Sequence, residues 1–232
     1  MRGKGTKIKA VVHGGTTLLV AATTLYVLML FVLRWVVGGH VPLAGGYDTM
    51  NFLTLVIGVA AVSMGVHGGT PLLAMGFCQL VAMMSGANPP VTNLMPVLNS
   101  PLLTVHVAVI MMAYALFLFV VINSVAALLR PAQREKMRRT TLLMLYPAEA
   151  LLAVGIIIGA VWANISWGTY WSWDPKEVWA LITLIVYLYP LSASSKSTVR
   201  FHVYCLVALL SVAVTYFGVN LLLGGMHAYG NV

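Results

Sequence analysis

The run LLTVHVAVIMMAYALFLFVVINSVAALL, residues 102–129, contains no Asp, Glu, Lys or Arg. Crossing the ~30 Å hydrocarbon core of a bilayer takes about 20 helical residues, so this run predicts a transmembrane helix. The whole chain has the same character, because 60% of its 232 residues are apolar and only 8% are charged. That composition excludes a soluble globular domain and predicts an integral membrane protein in contact with a lipid bilayer.

Six further apolar runs accompany this one, and the predicted fold is an all-α polytopic membrane helix bundle of about seven transmembrane helices. The chain is expected to form a single membrane domain, 1–232. Only HGGT, residues 67–70, separates the second and third runs, which predicts a tight helical hairpin. Cys78 and Cys205 are isolated in apolar runs and are expected to be packing residues. The seven predicted spans lie near 10–33, 50–66, 71–86, 102–129, 144–165, 177–193 and 201–222.

The basic residues predict the orientation, because loops on the cytoplasmic side carry an excess of Lys and Arg. With the N-terminus cytoplasmic, eleven of the 13 bases lie inside, and only Arg34 and Lys176 lie outside. The C-terminus is then extracytoplasmic. Bases scattered between apolar runs are topology signals, so no nucleic-acid partner is expected. The eleven inner bases are Arg2, Lys4, Lys7, Lys9, Arg130, Arg134, Lys136, Arg138, Arg139, Lys196 and Arg200.

The loop before the sixth span is predicted to lie on the outer face and is unusually rich in Trp. Its sequence WGTYWSWDPKEVW, residues 167–179, contains four of the six Trp residues of the chain. Asp174 as N-cap, Pro175 as the first helical residue and Glu177 three residues after the cap predict a capping box. Both acids would also lie at the positive end of the helix dipole, so their role can be purely structural.

Two interpretations remain open for the aromatic residues of this loop. Trp is enriched at membrane interfaces, where the ring lies among the headgroups. Alternatively, a crowded surface of flat rings suits a large flat apolar ligand, because stacking provides contact area at little entropic cost. The crowded residues are Trp167, Tyr170, Trp171, Trp173 and Trp179.

Histidine is the candidate partner group, because neutral imidazole is a natural ligand of haem iron. A single membrane histidine is more often a hydrogen-bonded packing residue or an interface residue. His106 at the start of span four and His227 after span seven are predicted to lie on the outer face, near the Trp loop. His40 falls in an outer loop, whereas His13, His67 and His202 fall near the inner face. No span supplies two well-spaced ligands at one depth, as a typical b-type cytochrome does.

Four segments resemble the haem-handling membrane proteins of cytochrome c maturation that carry a tryptophan-rich "WWD" signature, and most closely the CcsA/ResC branch. WGTYWSWDPKEVWALI is similar to the signature itself. Residues 88–114 and 216–230 are similar to the two segments that lead to the outer haem-ligand histidines. Residues 41–52 are similar to the first outer loop of the family. The segments are VPLAGGYDTMNF (41–52), NPPVTNLMPVLNSPLLTVHVAVIMMAY (88–114), WGTYWSWDPKEVWALI (167–182) and YFGVNLLLGGMHAYG (216–230).

The resemblance implies that His106 and His227 are axial ligands of a haem b at the outer face. The Trp-rich outer loop, 166–177, would cradle it with the residues Trp167, Tyr170, Trp171, Trp173 and Asp174. Family members move haem outward and present it to the CxxCH of an apocytochrome c, whose cysteines add across the haem vinyl groups. The implied partner is a CcsB/ResB-type membrane protein in a holocytochrome c synthase complex. The implied location is a bacterial inner (cytoplasmic) membrane or its thylakoid equivalent.

One position departs from the family pattern. The branch usually has a histidine just after the signature helix for a second, inner haem site, and Ser192 takes that place here. His202 is the nearest substitute and is taken as a candidate inner ligand, with His67, His13 or a partner protein as alternatives. His202 can instead anchor span seven beside Arg200. Two other functions remain open, a b-type electron-transfer subunit and a permease without haem.

Overall fold

The computed structural model describes residues 2–66, 68–86, 89–91, 100–192 and 197–216, and these residues form helices and no strand. The all-α prediction is therefore confirmed, and each predicted apolar run corresponds to one helix. A short 3₁₀ turn, Pro131–Gln133, joins the fourth and fifth helices. The helices are α1 (Arg2–Gly38), α2 (Gly46–Ser63), α3 (Gly69–Met84), α4 (Pro101–Leu129), α5 (Arg134–Trp167), α6 (Pro175–Ser192) and α7 (Thr198–Ala213).

Five segments of the described chain are long and apolar enough to cross a membrane, which makes the chain an integral membrane protein. Gly69–Met84 is a shorter apolar helix. Both cysteines are fully buried, as expected for packing residues. The five segments are Val11–Gly38, Gly46–Ser63, Pro101–Leu129, Pro131–Trp167 and Thr198–Tyr216.

Helix α5 begins at Arg134, ten residues before the span predicted from 144. The added turns are polar and basic, so an apolar run cannot reveal them. They are nevertheless packed on α4, because the Asn123 side chain donates to the Met137 carbonyl and to Thr141 Oγ1, both at 2.9 Å. Much of the predicted inner loop is therefore helix. Similarly, α1 and α2 extend into the predicted outer segment 34–49.

The first compact unit, Met1–Pro96, contains α1, α2 and α3. The predicted hairpin of α2 and α3 is confirmed, and polar side chains join its two helices. Gln79 donates to Asn51 Oδ1 at 3.1 Å and to Thr54 Oγ1 at 2.8 Å. Within a bilayer, where lipid is as apolar as the side chains, such bonds and close packing hold helices together.

The second compact unit, Val97–Val232, contains α4 to α7. Phe117 of α4 stacks on Tyr187 of α6, with ring centroids 4.2 Å apart. The Tyr204 hydroxyl of α7 donates to the Val186 carbonyl of α6 at 3.0 Å. One end of this unit gathers the start of α4, the end of α5 and the start of α6, whose residues line a common cavity, and the candidate site lies there.

Candidate functional site

The predicted capping box at the start of α6 is present. The Lys176 amide donates to Asp174 Oδ1 at 3.0 Å, and the Asp174 amide donates to Glu177 Oε2 at 3.1 Å. Glu177 Oε2 also accepts from the Ser172 amide at 2.9 Å. Asp174 is buried. The two acids thus fix the loop to the helix, which is the structural role considered from the sequence.

The first tryptophan of the signature belongs to α5. Trp167 is the last residue of that helix and packs edge-on against Trp162, with ring centroids 4.9 Å apart. Gly168 then ends the helix in the left-handed region at φ +79°, and its amide donates to the Asn164 carbonyl at 2.9 Å. Glycine suits this position because it has no Cβ to clash. The Trp167 ring therefore packs on its own helix, and its position is fixed by the end of that helix.

The remaining signature aromatics have different environments. Trp171 and Trp173 contact each other edge to face, with centroids 6.0 Å apart. Tyr170 is 60% exposed and Trp173 is 72% exposed. Trp173 has φ +60°, a left-handed conformation that a bulky residue adopts only where its surroundings require it. Here the next residue, Asp174, is fixed by the capping box.

A cavity of about 250 Å³ opens at this end of the second unit. Trp171 is the only tryptophan of the described chain that lines it, together with His106, other residues of α4, α5 and α6, and two residues just after α7. The lining is largely aliphatic and aromatic. It consists of Leu103, His106, Val107, Ile110, Met111, Tyr114, Ile156, Gly159, Ala160, Trp171, Lys176, Glu177, Ala180, Thr215 and Tyr216.

The imidazole of His106 has a defined orientation in this cavity. Its Nδ1 lies 2.8 Å from the Gly155 carbonyl oxygen, and because a carbonyl only accepts, Nδ1 carries the proton. Nε2 is then the ring nitrogen with the lone pair, the form that binds a metal. Sequence position predicted a ligand here, and the structure adds the backbone acceptor that selects the tautomer.

Two glycines of α5, which were not among the predicted site residues, make room for α4. A Cβ on residue 159 would lie 2.5 Å from Cε1 of His106, and one on residue 155 would lie 2.5 Å from Ile110 Cδ1. The signal was available, since GIIIG, residues 155–159, has the small-xxx-small spacing that lets membrane helices approach closely. The His106 ring therefore packs directly against the backbone of Gly159.

The charges at the cavity come from the first turn of α6, just before the predicted span 177–193. Burial lowers the pKa of the Lys176 ammonium below its usual value, and the neighbouring Asp174 carboxylate partly opposes this. Glu177 also lines the cavity, but one of its oxygens accepts the two backbone bonds of the capping box.

His202 lies at the opposite end of the same unit and is fully buried. Its Nδ1 is 3.0 Å from Ser124 Oγ, and its Nε2 is 3.5 Å from the Arg134 carbonyl oxygen. A ring with both nitrogens engaged ties α4, α5 and α7 together. This environment favours the anchoring role, through Ser124 and Arg134 rather than through Arg200.

The other histidines are distributed over both units. His13 is exposed on α1, and His40 is half-buried with Nδ1 3.2 Å from the Val41 carbonyl oxygen. His67 and His227 lie outside the described residues, as does most of the predicted outer segment 87–101. Of the two predicted outer ligands, the structure therefore describes His106 alone.

The residues at the cavity suit a haem in their chemistry. They supply one imidazole nitrogen with a lone pair, an aliphatic wall and the ring of Trp171. The cavity volume is slightly below the ~300–1,000 Å³ typical of small-molecule pockets. It can take part of a porphyrin, and the rest of the macrocycle would extend beyond the described walls.

Comparison with known proteins gives consistent matches. The family described as "Cytochrome C assembly protein" matches residues 17–227. "Cytochrome c biogenesis protein CcsA" of a Synechococcus species is 31% identical over 264 aligned positions, covering 94% of this chain and 87% of that protein. The protein of the same name from Parasynechococcus marenigrum is 33% identical with the same coverage. "Protein NrfI" of Wolinella succinogenes is 33% identical over 219 positions, 85% of this chain but only 24% of that protein.

Proposed function

Because the chain belongs to the family of cytochrome c assembly proteins, we propose that it handles haem during cytochrome c maturation. In this proposal it moves haem b across the membrane and presents it at the outer face to an apocytochrome c with a CxxCH motif. It works with a CcsB/ResB-type partner, in a bacterial cytoplasmic membrane or its thylakoid equivalent. The substrate of the site is haem, and the product is a haem joined to the apocytochrome by thioether bonds.

The observation that supports this proposal best is the state of the His106 ring. The ring lies at a cavity with Nδ1–H bonded to the Gly155 carbonyl, and Nε2 is the nitrogen with the lone pair, which is the tautomer that binds a metal. A backbone carbonyl that accepts the other ring N–H orients a metal-binding imidazole and raises its basicity. His227 is proposed as the second axial ligand from its position in the sequence.

Each part of the site has a defined role in this function. The imidazoles of His106 and His227 would hold the iron, and two such nitrogen ligands would limit unwanted oxygen chemistry. Trp171 offers a flat surface to the macrocycle, and Trp167, Tyr170, Trp173 and Asp174 are proposed as the rest of the cradle. The exposed rings of Tyr170 and Trp173 are available to a membrane or to a partner protein. Iron bonding and ring stacking leave the porphyrin edge, which carries the vinyl groups, accessible to cysteines.

A b-type electron-transfer subunit is less well supported. Such a protein holds haem within the bilayer between two histidines at one depth. In the described part of the second unit, His106 and His202 lie at opposite ends, and both nitrogens of His202 are already engaged. A permease without haem has no support from the family match, which is to cytochrome c assembly proteins.

The test is a histidine replacement with chemical rescue. We expect His106→Gly and His227→Gly each to lower haem per purified protein and the yield of cytochrome c, with partial recovery in added imidazole. The measurements are a pyridine haemochrome assay, the absorption spectrum and haem staining of the cytochrome. His40→Gly is the matched control, because that histidine is half-buried and outside the cavity. Wild-type haem content and yield in the His106→Gly, His227→Gly double variant would overturn the proposal.

A further inference from the structure

The charged side chains of the cavity suggest where an acidic group of its ligand would bind. Among the described lining residues, Lys176 is the only one that carries a positive charge. Glu177, the only acid in the same set, accepts backbone hydrogen bonds at 2.9 and 3.1 Å through Oε2. Glu177 Oε2 is thus already engaged by the loop backbone, and a ligand entering the cavity meets one positively charged side chain in a wall that is largely aliphatic and aromatic.

Haem has carboxylates that need such a base. Its macrocycle is apolar, but two propionates lie along one edge and the two vinyl groups lie on the other pyrroles. A carboxylate that leaves water is costly unless it gains a charged partner, and ammonium–carboxylate hydrogen bonds are among the strongest in proteins. We propose that Lys176 binds a propionate of the haem and so determines which edge of the porphyrin faces outward.

The positions of the two polar groups fit this role, which rests on the proposed function. His106 belongs to the second turn of α4, and Lys176 to the first turn of α6, at the same end of the unit. The iron ligand fixes the centre of the ring, and a second contact at its rim is needed to stop rotation about the iron–nitrogen bond. The capping box supplies the rigidity, because the Lys176 amide is bonded to Asp174 at 3.0 Å.

The electrostatics of Lys176 agree with the arrival of an anion. Burial disfavours its ammonium form and lowers the pKa, with only partial opposition from Asp174. A propionate beside the ammonium would favour the charged form again. A bound propionate would therefore stabilise the charged form of Lys176 and offset the free energy that burial of its ammonium group costs.

The experiment compares haem with its dimethyl ester, which lacks the negative charges. Purified full-length protein in detergent, freed of haem, is titrated with ferric protoporphyrin IX and with the diester, followed by the Soret band. We expect the wild type to bind the acid at least about tenfold more tightly than the diester, or ~1.4 kcal/mol. Lys176→Met, which keeps the length of the side chain, should bind the two within about twofold of each other.

Two further variants make the result decisive. Lys176→Arg keeps the charge and should retain most of the preference, and Lys136→Met removes an exposed base at the far end of α5 and should retain all of it. A wild-type preference in Lys176→Met would overturn the inference, as would equal binding of acid and diester by the wild type. Failure of the proposed ligand is distinguishable, because the Soret band would then be unchanged in His106→Gly.

Discussion

Gly159 lies under the His106 ring, and this close approach decides whether the imidazole can take its observed orientation. A methyl group at this position would lie 2.5 Å from Cε1 and 2.8 Å from Nδ1 of His106. We expect Gly159→Ala to displace the ring from the Gly155 carbonyl and to weaken haem binding roughly tenfold or more, since ligand sites tolerate displacements of only ~0.5 Å. A haem titration of the purified variant measures the effect.

The control for this change is another helical glycine. Gly76 of α3 has no atom within 4 Å of where its Cβ would be, so Gly76→Ala should leave haem binding unchanged. Helix propensity alone favours alanine over glycine by about 1 kcal/mol at both sites. Equal haem affinity in the two variants would show that the contact with His106 is not needed for binding.

His202 shows how differently a second histidine of the same unit is used. Its imidazole bridges Ser124 and the Arg134 carbonyl at the buried junction of three helices. We expect His202→Ala to lower the free energy of unfolding by about 1–3 kcal/mol, because it leaves buried polar groups unpaired. Haem per folded protein should stay at the wild-type value. Thermal unfolding in detergent and the pyridine haemochrome assay separate the two effects.

An inner haem ligand would behave in the opposite way. His202→Ala would then lose haem or cytochrome c yield with its unfolding midpoint unchanged. His13→Ala is the comparison variant, because His13 is exposed and also lies near the predicted inner face. A loss of yield in His13→Ala alone would move the inner site to the first unit.

At the scale of elements, the start of α6 joins fold and site. Asp174→Ala removes the acceptor of the Lys176 amide, and an N-cap loss costs about 0.5–2 kcal/mol. Asp174→Asn should keep the helix start, because its amide oxygen can accept the same bond. Since Trp171 and Lys176 flank the cap, we expect Asp174→Ala also to weaken haem binding. Unfolding midpoints and haem titrations of both variants provide the measurements.

The N-cap of α7 is a matched control for this prediction. Ser197 Oγ accepts from the Arg200 amide at 3.4 Å, at the opposite end of the unit from the cavity. Ser197→Ala should lower stability and leave haem affinity unchanged. If both cap variants lost haem equally, the effect of Asp174 would be general destabilisation.

Helix α5 carries a buried acid near its middle. Glu149 is 5% exposed, and neither carboxylate oxygen has a hydrogen-bond partner among the described residues. The buried Tyr187 hydroxyl also has no hydrogen-bond partner among the described residues. The Glu149 carboxyl and the Tyr187 hydroxyl are close enough to interact electrostatically. Because unpaired buried polar groups cost about 1–3 kcal/mol each, we expect Glu149→Leu to raise the midpoint of thermal unfolding. Exposed Glu135 is the control, and Glu135→Gln should change stability by less than about 0.5 kcal/mol.

A lower midpoint for Glu149→Leu would mean that the carboxyl has a stabilising partner in the folded protein. A higher midpoint together with a reduced cytochrome c yield would instead mark Glu149 as functional. Ionisable residues inside a membrane bundle are retained at a cost in stability when a transport step requires them.

The elements were predictable to different degrees, for physical reasons. Apolar runs revealed every helix, and Asp174, Pro175 and Glu177 revealed the start of α6, because both signals are local in sequence. The first ten residues of α5 were missed, since a polar helix stabilised by Asn123 of α4 has no apolar run. The support of His106 by Gly155 was missed for a similar reason. Glycine spacing indicates a close helix contact but does not identify the residue that fills it.

At the scale of the molecule, the charges follow the ends of the second unit. Arg130, Arg134, Lys136 and Arg138 lie at the turn from α4 to α5, and Arg200 lies in the first turn of α7 at the same end. The start of α7 is joined to the start of α5, because the Thr198 hydroxyl donates to Glu135 Oε2 at 3.0 Å. Lys176 lies at the opposite end, beside the cavity. The positive-inside rule therefore favours a cytoplasmic basic end and an outer cavity.

This orientation predicts the sides of three reporter fusions. Fusions at 134 and 197 should both report the cytoplasm, and a fusion at 171 should report the outer side. Helix α5 separates 134 from 171, whereas 134 and 197 share one end of the bundle, so the fusions at 134 and 197 must agree in any orientation. Paired alkaline phosphatase and green fluorescent protein fusions measure the sides.

The two possible failures have different consequences. Disagreement between 134 and 197 would contradict the arrangement of α4 to α7 itself. If 134 and 197 both reported the outer side and 171 reported the cytoplasm, the arrangement of the helices would stand but the bundle would be reversed in the membrane. His106, Trp171 and Lys176 would then face the side where haem is made, and the site would serve uptake of haem rather than its presentation to an apocytochrome.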